Sequence, residues 1–374
     1  MSDAAPHEAD FHIGLMSGTS LDGVDAVLAS FPRHGPGHGA PSLIGTHYLP
    51  YAAELRERLL ALHTPQADEL HLAHRLALEL AALYAQAVHA LLEKTGFAPE
   101  RVAAIGCHGQ TIRHRPEAGY SVQLVNGARL AELTGIASIV DFRSRDIAAG
   151  GQGAPLVPAF HAAMLASKNE HRVIVNIGGI ANLTDLPASG RVTGFDCGPG
   201  NLLMDAWAAR HLGKPIDADG AWAASGKVLP ELLGRMLAHG FFAAHPPKSA
   251  GREQFNRDWL QSMLSGDEAA QDVQATLLEL TARGIADAAQ KFCRGCEALY
   301  VCGGGAHNRA LMRRLGALSG RPVHSTAVLG IDPDWMEALA FAWLARQCLE
   351  GKPGNLPAVT GASGPRILGA IYPA

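Results

Sequence analysis

Cysteine is scarce and unpatterned in this 374-residue chain. The six, Cys107, Cys197, Cys293, Cys296, Cys302 and Cys348, follow no disulfide-framework spacing. Cys293-x-x-Cys296 lacks the second pair, or the His-x-x-x-His, that would complete a zinc ligand set. Reduced, partly buried thiols are therefore expected, and with them a cytoplasmic location. Residues 1–10 are polar and lack a basic-then-apolar targeting pattern. No uninterrupted apolar run approaches the ~20 residues of a membrane span, so no membrane partner is expected. An excess of one charge is also missing. The net charge of −4 argues against a surface that coats nucleic acid, and none is expected as a partner. The lysine-bearing phosphate loop and the dinucleotide fingerprint are absent as well.

What is present begins with 42 glycines, many gathered in a few loops. The length suggests roughly two domains. The apolar half of the composition can fill two cores. Phe11–Met16 and Val24–Ala29 read as buried strands around Ser17-Gly18-Thr19-Ser20-Leu21-Asp22-Gly23, a turn with two glycines and three hydroxyls. Such a hairpin tip exposes backbone N–H groups and small side chains, and it can be an ordinary turn or an anion cradle for nucleotide phosphates.

Further along, Ser42–Leu49 reads as a strand, Tyr51–His63 as a helix and Asp68–Thr95 as a long helix capped by Gly96. Val102–Gly106 is a short buried strand that runs into Cys107-His108-Gly109-Gln110. Polar residues at the end of a buried strand sit where open α/β sheets bind ligands. His108 and Gln110 are therefore site candidates, the alternative for His108 being a loop brace. After a strand at Ala137–Val140 come Asp141-Phe142-Arg143-Ser144-Arg145-Asp146 and the glycine-rich Gly150–Pro155. Arg143 and Arg145 are either a solvated ion-paired face or anion anchors. A domain boundary is expected near Ser167–His171.

The second half restarts as the first began: strand Arg172–Ile177, turn Gly178-Gly179-Ile180-Ala181-Asn182, return strand Leu183–Leu186. Two such hairpins, one opening each half, suggest a duplicated domain. Asp196 follows the strand Val192–Phe195 and precedes Gly198-Pro199-Gly200 and a helix from Leu202. It is either an acid stabilised by the helix dipole or a general base. Lys248, Ser249 and Arg252 fall in a surface segment expected to be mobile. Strand Ala298–Cys302, Gly303-Gly304-Gly305 and a helix from Arg309 form a nucleotide-binding arrangement. Glu337, a lone acid at the start of the apolar helix Trp335–Ala345, is either a first-turn residue or a site acid. Ile367–Tyr372 reads as a last strand.

Three glycine elements in this order resemble the actin-like ATPase and sugar-kinase superfamily. GLMSGTSLDGVDAVL, GCHGQTIRHRP, GGQGAPLVPAFH, NIGGIANLT, GFDCGPGNLLMDAW, CGGGAHN and WMEALAFAWLA together resemble the anhydro-N-acetylmuramic acid kinase family. The resemblance implies an α/β fold of two actin-like, ribonuclease H-like domains, each with a mixed central sheet flanked by helices, and a nucleotide cleft between them. Domains are expected at 1–167 and 168–374, with 361–374 returning to the first. The implied reaction opens the 1,6-anhydro bond of the sugar with water and phosphorylates O6 from ATP, giving N-acetylmuramic acid 6-phosphate in cell-wall recycling. Other readings are another sugar kinase, a phosphoanhydride hydrolase on the same frame, or an ATP-gated binding protein. The implied roles are a base at Asp196; ATP at Gly18, Thr19, Ser20, Leu21, Asp22, Gly23, Val24, Asp25, Gly178, Gly179, Gly303, Gly304 and Gly305; and sugar at His108, Gln110, Arg143, Arg145 and Glu337. Met16 and Ser17 stand where the superfamily usually carries an aspartate before its first glycine loop, and Asn176 where an acid is common. Magnesium (Mg2+) is then expected on Asp22 or Asp25. The resemblance also implies a homodimer.

Overall fold

A computed structural model describes residues 11–18, 20–31, 41–252 and 254–374. The chain forms two compact units, Met1–Met164 with Trp335–Ala374, and Leu165–Asp334.

In the first unit, β1 (Phe11–Ser17), β2 (Gly23–Ser30) and β3 (Ser42–Pro50) form an antiparallel meander. Parallel strands β4 (Val102–Arg115) and β6 (Ser138–Val140) continue the sheet beyond β1. The hairpin strand β5 (Tyr120–Leu124) pairs with the outer half of β4, and Ala370–Tyr372 closes the far edge against β6. In the second unit, β7 (Arg172–Ile177), β8 (Ile180–Leu186) and β9 (Thr193–Pro199) form the meander. There β10 (Ala298–Cys302) and β11 (Val323–Ser325) run parallel beyond β7. The two orders, β3-β2-β1-β4-β6 and β9-β8-β7-β10-β11, are the same, with the same directions. This is the mixed-sheet, ribonuclease H-like pattern expected for each half.

Local chemistry explains most boundaries. The helix Glu69–Thr95 ends at Gly96 in the left-handed region, as its glycine suggested. This 27-residue helix is long and apolar enough, by length and composition, to cross a membrane. Its inner face, including Leu76, Leu80, Tyr84, Val88 and Leu91, is buried in the first unit's core, as in a core helix. Leu70 and Leu72, near the start of the helix, are exposed.

Three expectations change. His108 and Gln110 lie within a 14-residue strand, since β5 pairs with what looked like a loop and prolongs β4. Asp196 lies inside β9 rather than in a turn after it, because β8 hydrogen-bonds as far as Pro199. The return to the first unit begins at Trp335, well before residue 361. The cause is the helix Met336–Leu349, which packs on β1 and β4. Gly14 and Gly106 are direct partners across those strands. A Cβ on Gly14 would lie 1.9 Å from the Ala338 carbonyl oxygen, and one on Gly106 would lie 2.1 Å from that of Phe341. Two mid-strand glycines thus let the helix backbone rest on the sheet.

Gly106→Ala should therefore lower the unfolding free energy by about 3 kcal/mol, because a backbone atom cannot move aside as a side chain can. Gly234→Ala, where nothing lies within 4 Å of the new Cβ on the helix Pro230–Leu237, should leave stability unchanged or raised. Urea unfolding of both variants checks the contrast.

Candidate active site

The first unit gathers its candidates at the β1–β4 junction and the start of the helix Met336–Leu349. Ser17 ends β1 and is buried; its hydroxyl bonds Tyr84 Oη at 2.8 Å and donates to the Gly109 carbonyl at 3.2 Å. His108 is buried, with Nδ1 3.3 Å from the Ser17 carbonyl and Nε2 2.8 Å from Arg143 Nη2. Arginine can only donate, so Nε2 accepts and the proton sits on Nδ1. Burial, then the Arg143 charge, pushes the imidazole down to about 3.

Arg143 also donates from Nη1 to the Gly153 carbonyl at 2.6 Å, while its buried Nε has no partner among the described residues. Burial lowers it to about 10, against the pull of Glu337 and Asp146. Glu337 is half-buried, and burial raises its carboxyl despite Arg143 nearby. Gln110, fully buried, donates to the Gly18 carbonyl at 3.0 Å, and its Oε1 has no partner among the described residues. His108, Gln110, Arg143 and Glu337 therefore belong to one neighbourhood that retains an unused donor and an unused acceptor. Arg145 is exposed on the short helix Ser144–Ala148.

The first hairpin tip is tied by Leu21 N–H to the Gly18 carbonyl at 3.3 Å, and by Tyr51 N–H and Tyr48 Oη to the Asp22 carbonyl, both at 2.9 Å. Leu21 and Val24 are core residues, their side chains buried in the first unit's apolar cluster. Asp25 lies in β2 opposite Met16. Exposed Asp22 accepts from Ser20 Oγ at 2.7 Å. Thr19 lies outside the described residues. Among the described residues no group of three or more His, Cys, Asp or Glu side chains is placed to hold a metal, and all six cysteines are buried and free.

The second unit brings its two glycine elements together. Asn201 donates from Nδ2 to the Ile177 carbonyl at 3.1 Å and from its backbone to the Gly178 carbonyl at 2.8 Å. The Asn176 side chain lies against Gly303, where a Cβ would come 2.5 Å from Asn176 Oδ1. Asp196 faces Asn182 across the β8–β9 ladder. Its Oδ2 accepts the Ala250 N–H at 2.8 Å, and its own N–H donates to the Lys248 carbonyl at 3.2 Å. Lys248 in turn sits 4.5 Å from the Phe241 ring centre and donates to the Phe241 carbonyl at 3.2 Å. The segment expected to be mobile is thus anchored on Asp196. No local sequence pattern marks that contact, which spans 54 residues.

The glycines divide into two kinds. Gly23, Gly303 and Gly305 are needed by the fold: a Cβ would come within 2.6 Å of its neighbours at each, and Gly303 also has φ +76°. Gly18, Gly178, Gly179 and Gly304 are not: their nearest neighbours would be 3.6, 3.8, 3.9 and 3.5 Å away, without a left-handed φ.

The family model described as anhydro-N-acetylmuramic acid kinase matches residues 10–374. The chain belongs to that family. Proteins named anhydro-N-acetylmuramic acid kinase from Nitrosospira multiformis and Thiobacillus denitrificans are each 61% identical to it. The alignments cover 98% of this chain and 100% of the first relative, and 100% of both chains for the second. The solved component A of Acidaminococcus fermentans (R)-2-hydroxyglutaryl-CoA dehydratase is 12% identical with a TM-score of 0.49, over 89% of this chain and 96% of its own. The polar neighbourhood of the first unit and the glycine elements of the second are the parts of this family member on which a functional reading rests.

His108 supplies a pH test. Its folded value lies below the ordinary ~6.5, so the unfolded chain binds the proton first as pH falls. His108 has no effect on stability above about pH 6.5 and destabilises progressively from there down to about 3. The wild-type unfolding free energy should fall more steeply than that of His108→Gln between pH 6 and pH 4, by about 1.4 kcal/mol per pH unit. Equal slopes would mean that the folded protein protonates this ring.

Proposed function

We propose that the chain is an ATP-dependent kinase that opens the 1,6-anhydro bond of 1,6-anhydro-N-acetylmuramic acid with water and phosphorylates O6. The products are N-acetylmuramic acid 6-phosphate and ADP, and the setting is peptidoglycan recycling in the cytoplasm, with the enzyme a homodimer. Membership of the family supports the substrate. The observation that carries the nucleotide reading is the set of four glycines that neither packing nor φ requires, clustered at the tips that open the two halves and at the third glycine loop. A missing side chain there leaves room for phosphates to meet backbone N–H groups.

The proposed roles follow from the chemistry each group can perform. Asp196 takes a proton from the water that attacks the anomeric carbon, help typically worth ~10²–10⁴-fold. The Ala250 N–H holds its carboxylate in one orientation. The departing O6 then becomes the nucleophile toward the γ-phosphorus, so ring opening and phosphoryl transfer are coupled. Arg143, with an unused Nε donor, faces the lactyl carboxylate, while Gln110 Oε1 accepts from a sugar hydroxyl or amide. Arg145 is the alternative anchor, exposed and free of the His108 contact. Glu337, in the first turn of the helix Met336–Leu349, contacts the sugar. Mg2+ neutralises phosphate charge in such reactions and binds through one or two carboxylates plus phosphates and water. Exposed Asp22 fits that need better than Asp25, which lies within a strand.

Two measurements test this. Incubation with Mg-ATP and the anhydro-sugar should yield a product heavier by one water and one phosphoryl group (HPO3); Asp196→Asn should lower its rate about 100-fold or more while leaving ATP binding intact. An unchanged rate, or a product lacking the water, would refute the role. Gly179→Ala should retain wild-type thermal stability and raise the KM for ATP about tenfold, since the added Cβ meets nothing nearer than the Leu202 Cβ, 3.9 Å away, in the folded protein. A large stability loss with normal ATP affinity would reverse that assignment.

A further inference from the structure

Asp146 takes no part in the reaction just described, yet its side chain is fully buried and gathers three donors, two of them from a distant part of the chain. Its Oδ2 accepts the Gly153 N–H at 2.8 Å. Its Oδ1 accepts Asn355 Nδ2 at 2.6 Å and Thr360 Oγ1 at 2.7 Å, from 209 and 214 residues downstream. The Gly151 N–H donates to its carbonyl at 3.0 Å, and a Cβ on Gly151 would lie 2.2 Å from Oδ2. Backbone bonds reinforce the link: Gln152 N–H to the Thr360 carbonyl at 2.7 Å, and Ser363 N–H to the Ala149 carbonyl at 2.8 Å. The two bonds meet at one residue: the Gly153 N–H, in the peptide before its Cα, donates to Asp146, and the Gly153 carbonyl, in the peptide after it, accepts Arg143 Nη1.

We propose that Asp146, clamped by Asn355 and Thr360, is a positioning residue for sugar binding, setting the direction of Arg143 and, through it, of His108. Among the described residues, two side-chain bonds anchor Arg143, one to Gly153 and one to His108. A Gly153 carbonyl free to rotate would release half of that anchorage. The segment Asn355–Thr360 thus serves the sugar side from a distance, without touching the sugar. A charged acceptor suits the task, since bonds to an ionised carboxylate are roughly twice as strong as neutral ones. The proposal rests on the reading of Arg143 as a sugar-side donor.

The experiment measures KM for 1,6-anhydro-N-acetylmuramic acid and for ATP in Asp146→Asn, Thr360→Val, Thr360→Ser and Arg143→Lys, with thermal unfolding of each. Asp146→Asn and Thr360→Val should raise the sugar KM about tenfold while the ATP KM stays within about twofold, and Thr360→Ser, which keeps the hydroxyl, should restore the wild-type value. Should Asp146→Asn fail to fold, Thr360→Val against Thr360→Ser carries the test, since the pair differs in the hydroxyl that Asp146 accepts from and leaves the carboxylate in place. A raised sugar KM in Arg143→Lys with wild-type values in the other variants would overturn the positioning role alone. Lower melting temperatures without a sugar-specific change, or with both KM values rising together, would likewise reduce Asp146 to a structural clamp. An unchanged sugar KM in Arg143→Lys would instead overturn the sugar-side reading on which the proposal stands.

Discussion

The first unit depends on one steric allowance, the bare backbone at Gly14 and Gly106. These residues sit side by side on β1 and β4, and the carbonyls of Ala338 and Phe341 occupy the space their side chains would fill. A helix docked that closely is fixed in rotation as well as distance, because each carbonyl fits one bare site. Its orientation places Glu337, in its first turn, near Arg143. The same close approach puts the Phe341 ring 4.8 Å from His108 and 5.5 Å from Phe142. The apolar wall that desolvates the imidazole thus comes from the helix that carries the acid. Sheet packing and site electrostatics have a common origin here.

A neutral histidine against a partly buried arginine follows from that environment. In water the two would meet as competing cations; in a dry pocket the imidazole gives up its proton and becomes an acceptor. Arg143 keeps its charge because carboxylates lie near it, Glu337 and Asp146, both within the first unit. The result is a rigid donor array with guanidinium nitrogen to spare. The second unit uses the same strand order for another purpose. Its β7–β8 tip carries no charged side chain, and what it offers is backbone, bounded by Asn176, Asn201 and the glycine triplet.

Much of this was legible because it is local. Alternating or continuous apolar runs around glycine turns marked the hairpins, and the repetition of strand, glycine tip and strand marked the duplication that the two identical strand orders display. Gly303–Gly305, Asp196 and His108 stood out as polar or bare groups at apolar strand ends. What was hidden depends on distant partners. The extension of β4 through His108 needed β5; the anchoring of Lys248 and Ala250 needed Asp196; the membership of the C-terminal helix needed Gly14 and Gly106. One of these did leave a trace, since a glycine inside an apolar strand signals that another backbone comes close. Asp146 left none, because an acid in a run of alternating charges looks like a solvated face until its donors from Asn355 and Thr360 are seen.

Glycine abundance alone therefore says little about binding, and the two kinds of glycine carry different information. At Gly14, Gly106, Gly200, Gly303 and Gly305 the neighbouring backbone or side chains fill the place of a side chain, so alanine is excluded by the folded protein itself. At Gly18, Gly178, Gly179 and Gly304 the folded protein excludes nothing. A glycine in an element adds backbone entropy to the unfolded chain, roughly 0.5–1 kcal/mol relative to alanine, and confers no stability in return. Four such positions on hairpin tips and a glycine loop, in a kinase family, are best accounted for by a ligand that must approach the main chain. The anion-binding reading thus rests on space that the fold leaves empty, whereas the sugar-side reading rests on polar atoms that the fold leaves unpaired.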